Sequence, residues 1–245
     1  MCYLVASTIV ESIAPVQESD PELWRQIRRY NLPVQLALTA AHETAKTAEN
    51  PASAALFSLA PCQSGSLDLH RWTRLAATAG QDGHIGHLRV NPTHTLHAVD
   101  NLALSAFAIM HRNHEHCLGL GGAAGQAWCG LEALHERLRD GNETEAFLIA
   151  GDQADDQGTT GSGIALLFSK SPKPYVPLGR LVKLVAVQRV RLDTPAALEP
   201  HAAAGLISLV AVIGNHKTGR LSYTVPSNHG NGMDLITVEM EFSRS

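Results

Sequence analysis

Three histidines at close spacing, His111, His114 and His116, form an H-x-x-H-x-H run. Residues three apart share a helix face, and paired imidazoles on one face are ligands for a divalent cation. With Asn113 and Glu115 interleaved, the same run also reads as a solvated helix end. Asp152, Asp155 and Asp156 offer carboxylates for acid–base work, but their neighbours Gln153, Gln157, Thr159 and Thr160 equally describe a solvated connection. His84 and His87 lie in an HIGH stretch beside Arg89, with no partner residues at a spacing that would give them a role. The four cysteines, Cys2, Cys62, Cys117 and Cys129, contain no C-x-x-C pair, so neither a disulfide framework nor a zinc ribbon is implied. The glycine-rich run Gly119–Gly125 lies where a dinucleotide-binding turn would, between strand and helix. It lacks G-x-G-x-x-G spacing and a following acidic strand end, and its glycines fit a tight, closely packed turn better.

The elements that must position these residues can be read from pattern. Ser19–Asp20–Pro21–Glu22 has the chemistry of a helix start running into Leu23, Trp24, Ile27 and Tyr30, with Pro33 as an interruption. A second helix is expected over 37–48 and a short buried strand over 54–60. Residues 61–90 carry loop signals. The segment 97–112 is apolar almost all round, including Leu102, Leu104, Phe107, Ile109 and Met110, as in a helix buried on several sides. Residues 117–120 read as a strand. A helix at 126–139 follows, with Trp128, Leu131, Leu134 and Leu138 on one face and charged residues on the other, stopped by Asp140–Gly141.

Strands are expected at 146–150 and 163–169, joined by a polar Gly-rich loop at 151–162. A further strand falls at 180–190, a helix from Thr194–Pro195 to 213, a turn at 214–219, and a half-buried strand where Ile236, Val238, Met240 and Phe242 alternate with polar residues. The alternation of helices and strands predicts a layered α/β architecture with parallel pairings. A length of 245 residues and 44% hydrophobic content suit a single α/β domain with a sizeable core. A formal net charge of −4 gives no broad basic surface for nucleic acid. No apolar run approaches the roughly 20 residues of a membrane span. The N-terminal MCYLVASTIVESIAP has no basic region ahead of its apolar stretch and does not read as a signal peptide, so a cytoplasmic protein is expected.

In order along the chain, several segments resemble ketosynthases of the thiolase superfamily. Asn101–Ile109 (NLALSAFAI) resembles the buried helix at the family's subunit interface, and Gly121–Leu134 (GGAAGQAWCGLEAL) the strand-to-helix elbow that presents the nucleophilic cysteine. Asp140–Asp152 (DGNETEAFLIAGD) resembles the strand ending in A-G-G-x-D/E, and Gly163–Ser169 (GIALLFS) the strand that closes the first half. Ala202–Leu209 (AAAGLISL) resembles the helix after the second active-site histidine, and Asn228–Val238 (NHGNGMDLITV) the closing Gly-rich turn and final strand. The resemblance is greatest to the small ketosynthase-like proteins of aryl polyene and flexirubin-type pigment clusters. It implies a thiolase-like αβα layered sandwich as one domain over 1–245, with a near-complete first half (1–170) and a reduced second half (171–245).

The departures from the family bear on function. The catalytic cysteine would stand four residues before Leu131, where a helix N-terminus and an oxyanion hole activate it. That position is Ala127, and beside it is Gln126, the residue type that chain length factors carry in place of the nucleophile. Cys129, within the helix, is poorly placed for dipole activation and reads as a small apolar residue. The H-G-T-G-T motif has no counterpart. The second histidine's position is Glu199, with His201 two residues away. The resemblance therefore implies a non-catalytic, chain-length-factor-like subunit without cofactor or metal. Its expected partner is a ketosynthase in a heterodimer, and through the complex an acyl carrier protein. Leu102, Phe107, Met110, Cys117, Leu118 and Trp128 are the candidates for its interface and acyl-tunnel wall. A stand-alone acyltransferase or condensing enzyme using Cys129 is the alternative.

Overall fold

The computed structural model describes residues 2–59, 101–120, 126–154, 159–173, 180–192, 202–215, 219–226 and 233–244. Within these, the first strand, β1 (Cys2–Val10), leads into three helices: α1 (Ala14–Ser19), α2 (Pro21–Ile27) and α3 (Leu32–Ala45). Asp20 caps α2 by accepting from the Leu23 amide at 2.9 Å, as the Ser–Asp–Pro–Glu signature anticipates. Pro33 does not interrupt a helix. It lies in the first turn of α3, behind the Asn31 cap, where its missing N–H costs nothing.

A short strand, β2 (Ala55–Leu59), is followed by α4 (Leu102–His111), β3 (Cys117–Leu120) and α5 (Gln126–Asp140). Next come the hairpin strands β4 (Glu145–Gln153) and β5 (Gly161–Ser169), so the expected loop at 151–162 is shorter than its sequence suggested. The remainder supplies β6 (Arg180–Leu192), α6 (Ala202–Asn215), β7 (Gly219–Pro226) and β8 (Met233–Arg244). β1 and β7 were not anticipated. Residues 60–100 and the expected helix start at Thr194–Pro195 lie outside the described residues.

The eight strands form one sheet in the order β3-β2-β4-β5-β1-β6-β8-β7. Among the described residues, parallel pairing is confined to β2 with β3 and with β4. Every other pair is antiparallel, which corrects the expectation of general parallel pairing. The reason is connection length. α5 provides the crossover that parallel strands need between β3 and β4, whereas β4 turns directly into β5. β1 joins the two parts of the sheet, pairing with β5 on one side and β6 on the other.

Helices cover both faces of the sheet, giving the expected αβα layers. On β4, Phe147 and Ile149 point into a core shared with α3 and α4. Ala146, Leu148 and Ala150 point into the opposite core, shared with α5 and α6. α3 lies so close to the sheet that a methyl on Gly151 would run into the Pro33 carbonyl, and one on Gly163 into the Leu36 backbone. On the other face α5 approaches through Gly130, whose Cβ would be 2.7 Å from a Leu59 methyl and 3.0 Å from one of Leu148. α4 is not buried all round, since Ser105 and Ile109 form an exposed stripe on it.

Because the obstacle at Gly163 is helix backbone, Gly163→Ala is expected to lower unfolding stability by about 2–3 kcal/mol. The exposed Ser105→Ala should stay within about 0.5 kcal/mol. Urea denaturation of the two variants against the parent checks this difference.

Candidate functional site

The C-terminal ends of the parallel strands come together at one edge of the sheet. Leu59 of β2 is level with Leu120 of β3 and Ala150 of β4, and β4 continues beyond them through Gly151, Asp152 and Gln153. Two helices begin at this edge. α5 starts six residues after β3 ends, and α6 starts where Asp152 meets it. Asp152 is 6% exposed, and its Oδ2 accepts from the amides of Ala203 at 2.6 Å and Ala204 at 3.3 Å. A buried carboxylate thus satisfies the first amides of α6 and complements the positive end of its dipole. In the sequence, Asp152 reads as one of three carboxylates that either serve acid–base work or belong to a solvated connection. It is instead a cap that holds the second part of the chain over the end of the first. Asp155 and Asp156 lie outside the described residues.

Gln126 is the first residue of α5, and Ala127, 3% exposed, follows it with its methyl in the core. A methyl at this position can neither attack an acyl carbonyl nor carry an acyl group. Trp128 is buried beside it, and Cys129 is half-buried against the core as the fourth residue of the helix. The other described thiols are not activated. Burial pushes Cys2 up to about 12, and partial desolvation raises the exposed Cys117. Glu199, His201 and the glycines at 121–125 lie outside the described residues, as do His84 and His87.

The H-x-x-H-x-H run does not form a metal site. α4 ends at His111, and Arg112 turns the chain away with a left-handed φ of 52°. His114 is therefore off the helix and exposed, while His116 leans on Phe57 with ring centres 5.5 Å apart. Asn113 is buried and locks the turn by donating to the carbonyls of Pro51 at 2.7 Å and Ala54 at 2.8 Å. Among the described residues, no group of three or more His, Cys, Asp or Glu side chains is placed to hold a metal ion.

The six interface and tunnel candidates separate by burial. Leu102 and Phe107 are core residues of this chain. Phe107, 0% exposed, has its ring centre 5.1 Å from that of Phe147 and 4.3 Å from that of His111. Trp128 is likewise buried within the chain. Met110 and Leu118 are half-buried, and Cys117 is exposed. The residue that sequence reasoning passed over is Ile109, 76% exposed, the most exposed large apolar side chain described. β3 is the outermost strand of the sheet, paired on one side with β2. Gly119 lets α4 sit against β3, since a Cβ there would be 2.8 Å from that of Asn101. Ile109, Met110 and Cys117 thus belong to two packed neighbours at one end of the molecule.

No family model matches the chain, and no curated protein matches it in sequence. Solved structures do match in fold. The ishigamide ketosynthase/chain length factor is 11% identical, with 98% of this chain and 99% of that chain covered at a TM-score of 0.64. A ketosynthase (ApeO) in complex with its chain length factor (ApeC), from Xenorhabdus doucetiae, is 11% identical, covering 86% of this chain and 79% of that one at 0.51. AbyA1, a tetronic acid condensing enzyme, is 9% identical, covering 98% and 100% at 0.51. The chain has a thiolase-like, ketosynthase-type fold. Among the described residues, no helix is long and apolar enough to cross a membrane.

The cap at Asp152 carries a direct test. Asp152→Ala should cost about 1–2 kcal/mol and speed hydrogen exchange at the Ala203 and Ala204 amides, while Asp152→Asn, which keeps an acceptor, should lose less. Native-state hydrogen exchange of α6 separates the two.

Proposed function

We propose that this chain is the non-catalytic, chain-length-factor-like subunit of a ketosynthase heterodimer that elongates acyl chains on an acyl carrier protein. The observation that carries the reading is the buried Ala127 at the head of α5, where a condensing enzyme of this fold would hold its nucleophile. Gln126 beside it is the residue type expected of a chain length factor. The resemblance favours an aryl polyene-type pathway and a cytoplasmic setting. In this reading the chain is one domain, with 171–245 a reduced version of the usual second half.

The partner would supply the Cys–His–His chemistry, and this chain would complete its acyl tunnel. The docking face is the α4–β3 end, where Ile109, Met110 and Cys117 reach the surface and Leu118 is half-buried. Leu102, Phe107 and Trp128 would stiffen that wall from behind. Full burial of an Ile side chain is worth about 1.5–3 kcal/mol, and an outermost strand with no second pairing partner among the described residues invites pairing with another chain. Both features favour a protein partner here. Without it, the uncovered face should promote aggregation.

A stand-alone condensing enzyme is the second reading, supported by the likeness to AbyA1 and by Cys129 in the elbow helix. It would lose its activity in Cys129→Ala.

Co-expression with a ketosynthase encoded beside it, followed by size-exclusion chromatography and a condensation assay, tests the proposal. The expected result is a stable complex that elongates acyl chains only when this chain is present. Ile109→Arg should dissociate the complex, and Cys129→Ala should leave the assay unchanged. A ketosynthase that elongates equally well without this chain would exclude the partner role.

A further inference from the structure

His111 is not joined to His114 or His116, but it has a partner that the sequence run does not contain. His42 of α3 faces it across the α3–α4 contact, with ring centres 5.9 Å apart and planes inclined by 37°. Two nitrogens of this pair, His42 Nδ1 and His111 Nε2, are cut off from solvent and have no hydrogen-bond partner. A buried imidazole nitrogen left unpaired is destabilising, and here two such atoms occur in adjacent rings. One shared occupant would satisfy both.

The geometry suits a metal ion. With metal–nitrogen bonds of about 2.0–2.1 Å and ring centres about 1.1 Å further out, two imidazoles on one cation have centres about 5.2 Å apart at a tetrahedral angle and about 6.4 Å apart in line. The observed separation of 5.9 Å falls between these limits. Behind His42, the Oδ2 of Asp20 stands 3.7 Å from Nε2. A negative charge there favours a cation held at the other ring nitrogen, Nδ1. Asp20 is itself fixed, because its Oδ1 caps α2 through the Leu23 amide at 2.9 Å.

We infer that His42 and His111 form a two-imidazole site for a borderline divalent cation of the zinc, copper or nickel class, stapling α3 to the end of α4. Nitrogen ligands suit these ions. No further His, Cys, Asp or Glu completes a set of three among the described residues, so the remaining coordination positions fall to water. The site lies on the α3–α4 face of the sheet, opposite α5, and does not depend on whether the chain pairs with a ketosynthase.

Zn²⁺ titration of the full, tag-free protein by calorimetry, with ¹⁵N spectra of the histidine rings, tests the site. The chain has 13 histidines, so the variants assign the signal. One equivalent of Zn²⁺ should bind and shift the ring nitrogens of His42 and His111. Binding should be lost in His42→Gln and in His111→Gln, weakened about 10-fold or more in Asp20→Asn, and unchanged in His114→Ala. Asp20→Asn retains an oxygen to cap α2, and circular dichroism verifies that each variant is folded. The inference is overturned if no Zn²⁺ binds, if binding survives both glutamine substitutions, or if the ring nitrogens of His42 and His111 in the parent protein do not respond. A bridging water would then be the occupant of the pair.

Discussion

β4 is buried along its whole length, and each of its ends is tied down by a buried carboxylate; the candidate site depends on those two ties. At the start of the strand, Glu145 is 2% exposed. Its Oε2 accepts from the amides of Glu49 at 2.9 Å and Asn50 at 3.5 Å, and its Oε1 meets Lys173 at 2.9 Å. At the end, Asp152 holds the first amides of α6. Buried carboxylates are tolerated only when their charge is met by donors. Each of these is met by backbone N–H groups from another part of the chain, so they join segments far apart in sequence. Glu143, buried just before β4, is met differently, by the guanidinium of Arg137 six residues back in α5.

Close packing complements the electrostatics. The glycines at 151 and 163 bring α3 onto one face of the sheet, and Gly130 brings α5 onto the other. The head of α5 is thereby placed at the shared end of β2, β3 and β4, beside α6. Ala127 stands at that helix start, and in the proposed reading it takes the place of the nucleophile while the scaffold is kept. This combination suits a protein that works through a partner.

Much of this was legible in the sequence, and the exceptions have physical causes. The alternation of Ile236, Val238, Met240 and Phe242 and the apolar run in β4 identified strands because their side-chain periods are undisturbed. β1 escaped because its register shifts between Leu4 and Ala6, so Leu4, Val5 and Ala6 are buried in succession and the period of two is broken. β7 has Leu221, Tyr223 and Val225 alternating with Ser222 and Thr224, a pattern hidden beside a glycine turn. The role of Asp152 was not legible, since its partners lie 51 and 52 residues further on. Nor was the pairing of His111 with His42, because the contact between α3 and α4 is tertiary. Phe107 and Ile109 looked alike as apolar residues of one helix; only the direction in which α4 meets the sheet separates a core residue from a surface one.

In the proposed reading, acyl chemistry takes place on the ketosynthase and not on this chain. Intact-mass analysis of the co-purified complex after incubation with an acylated carrier protein tests it most directly. An acyl adduct on the ketosynthase and an unmodified mass for this chain are expected. An acyl thioester on this chain, mapped to Cys129, would contradict it.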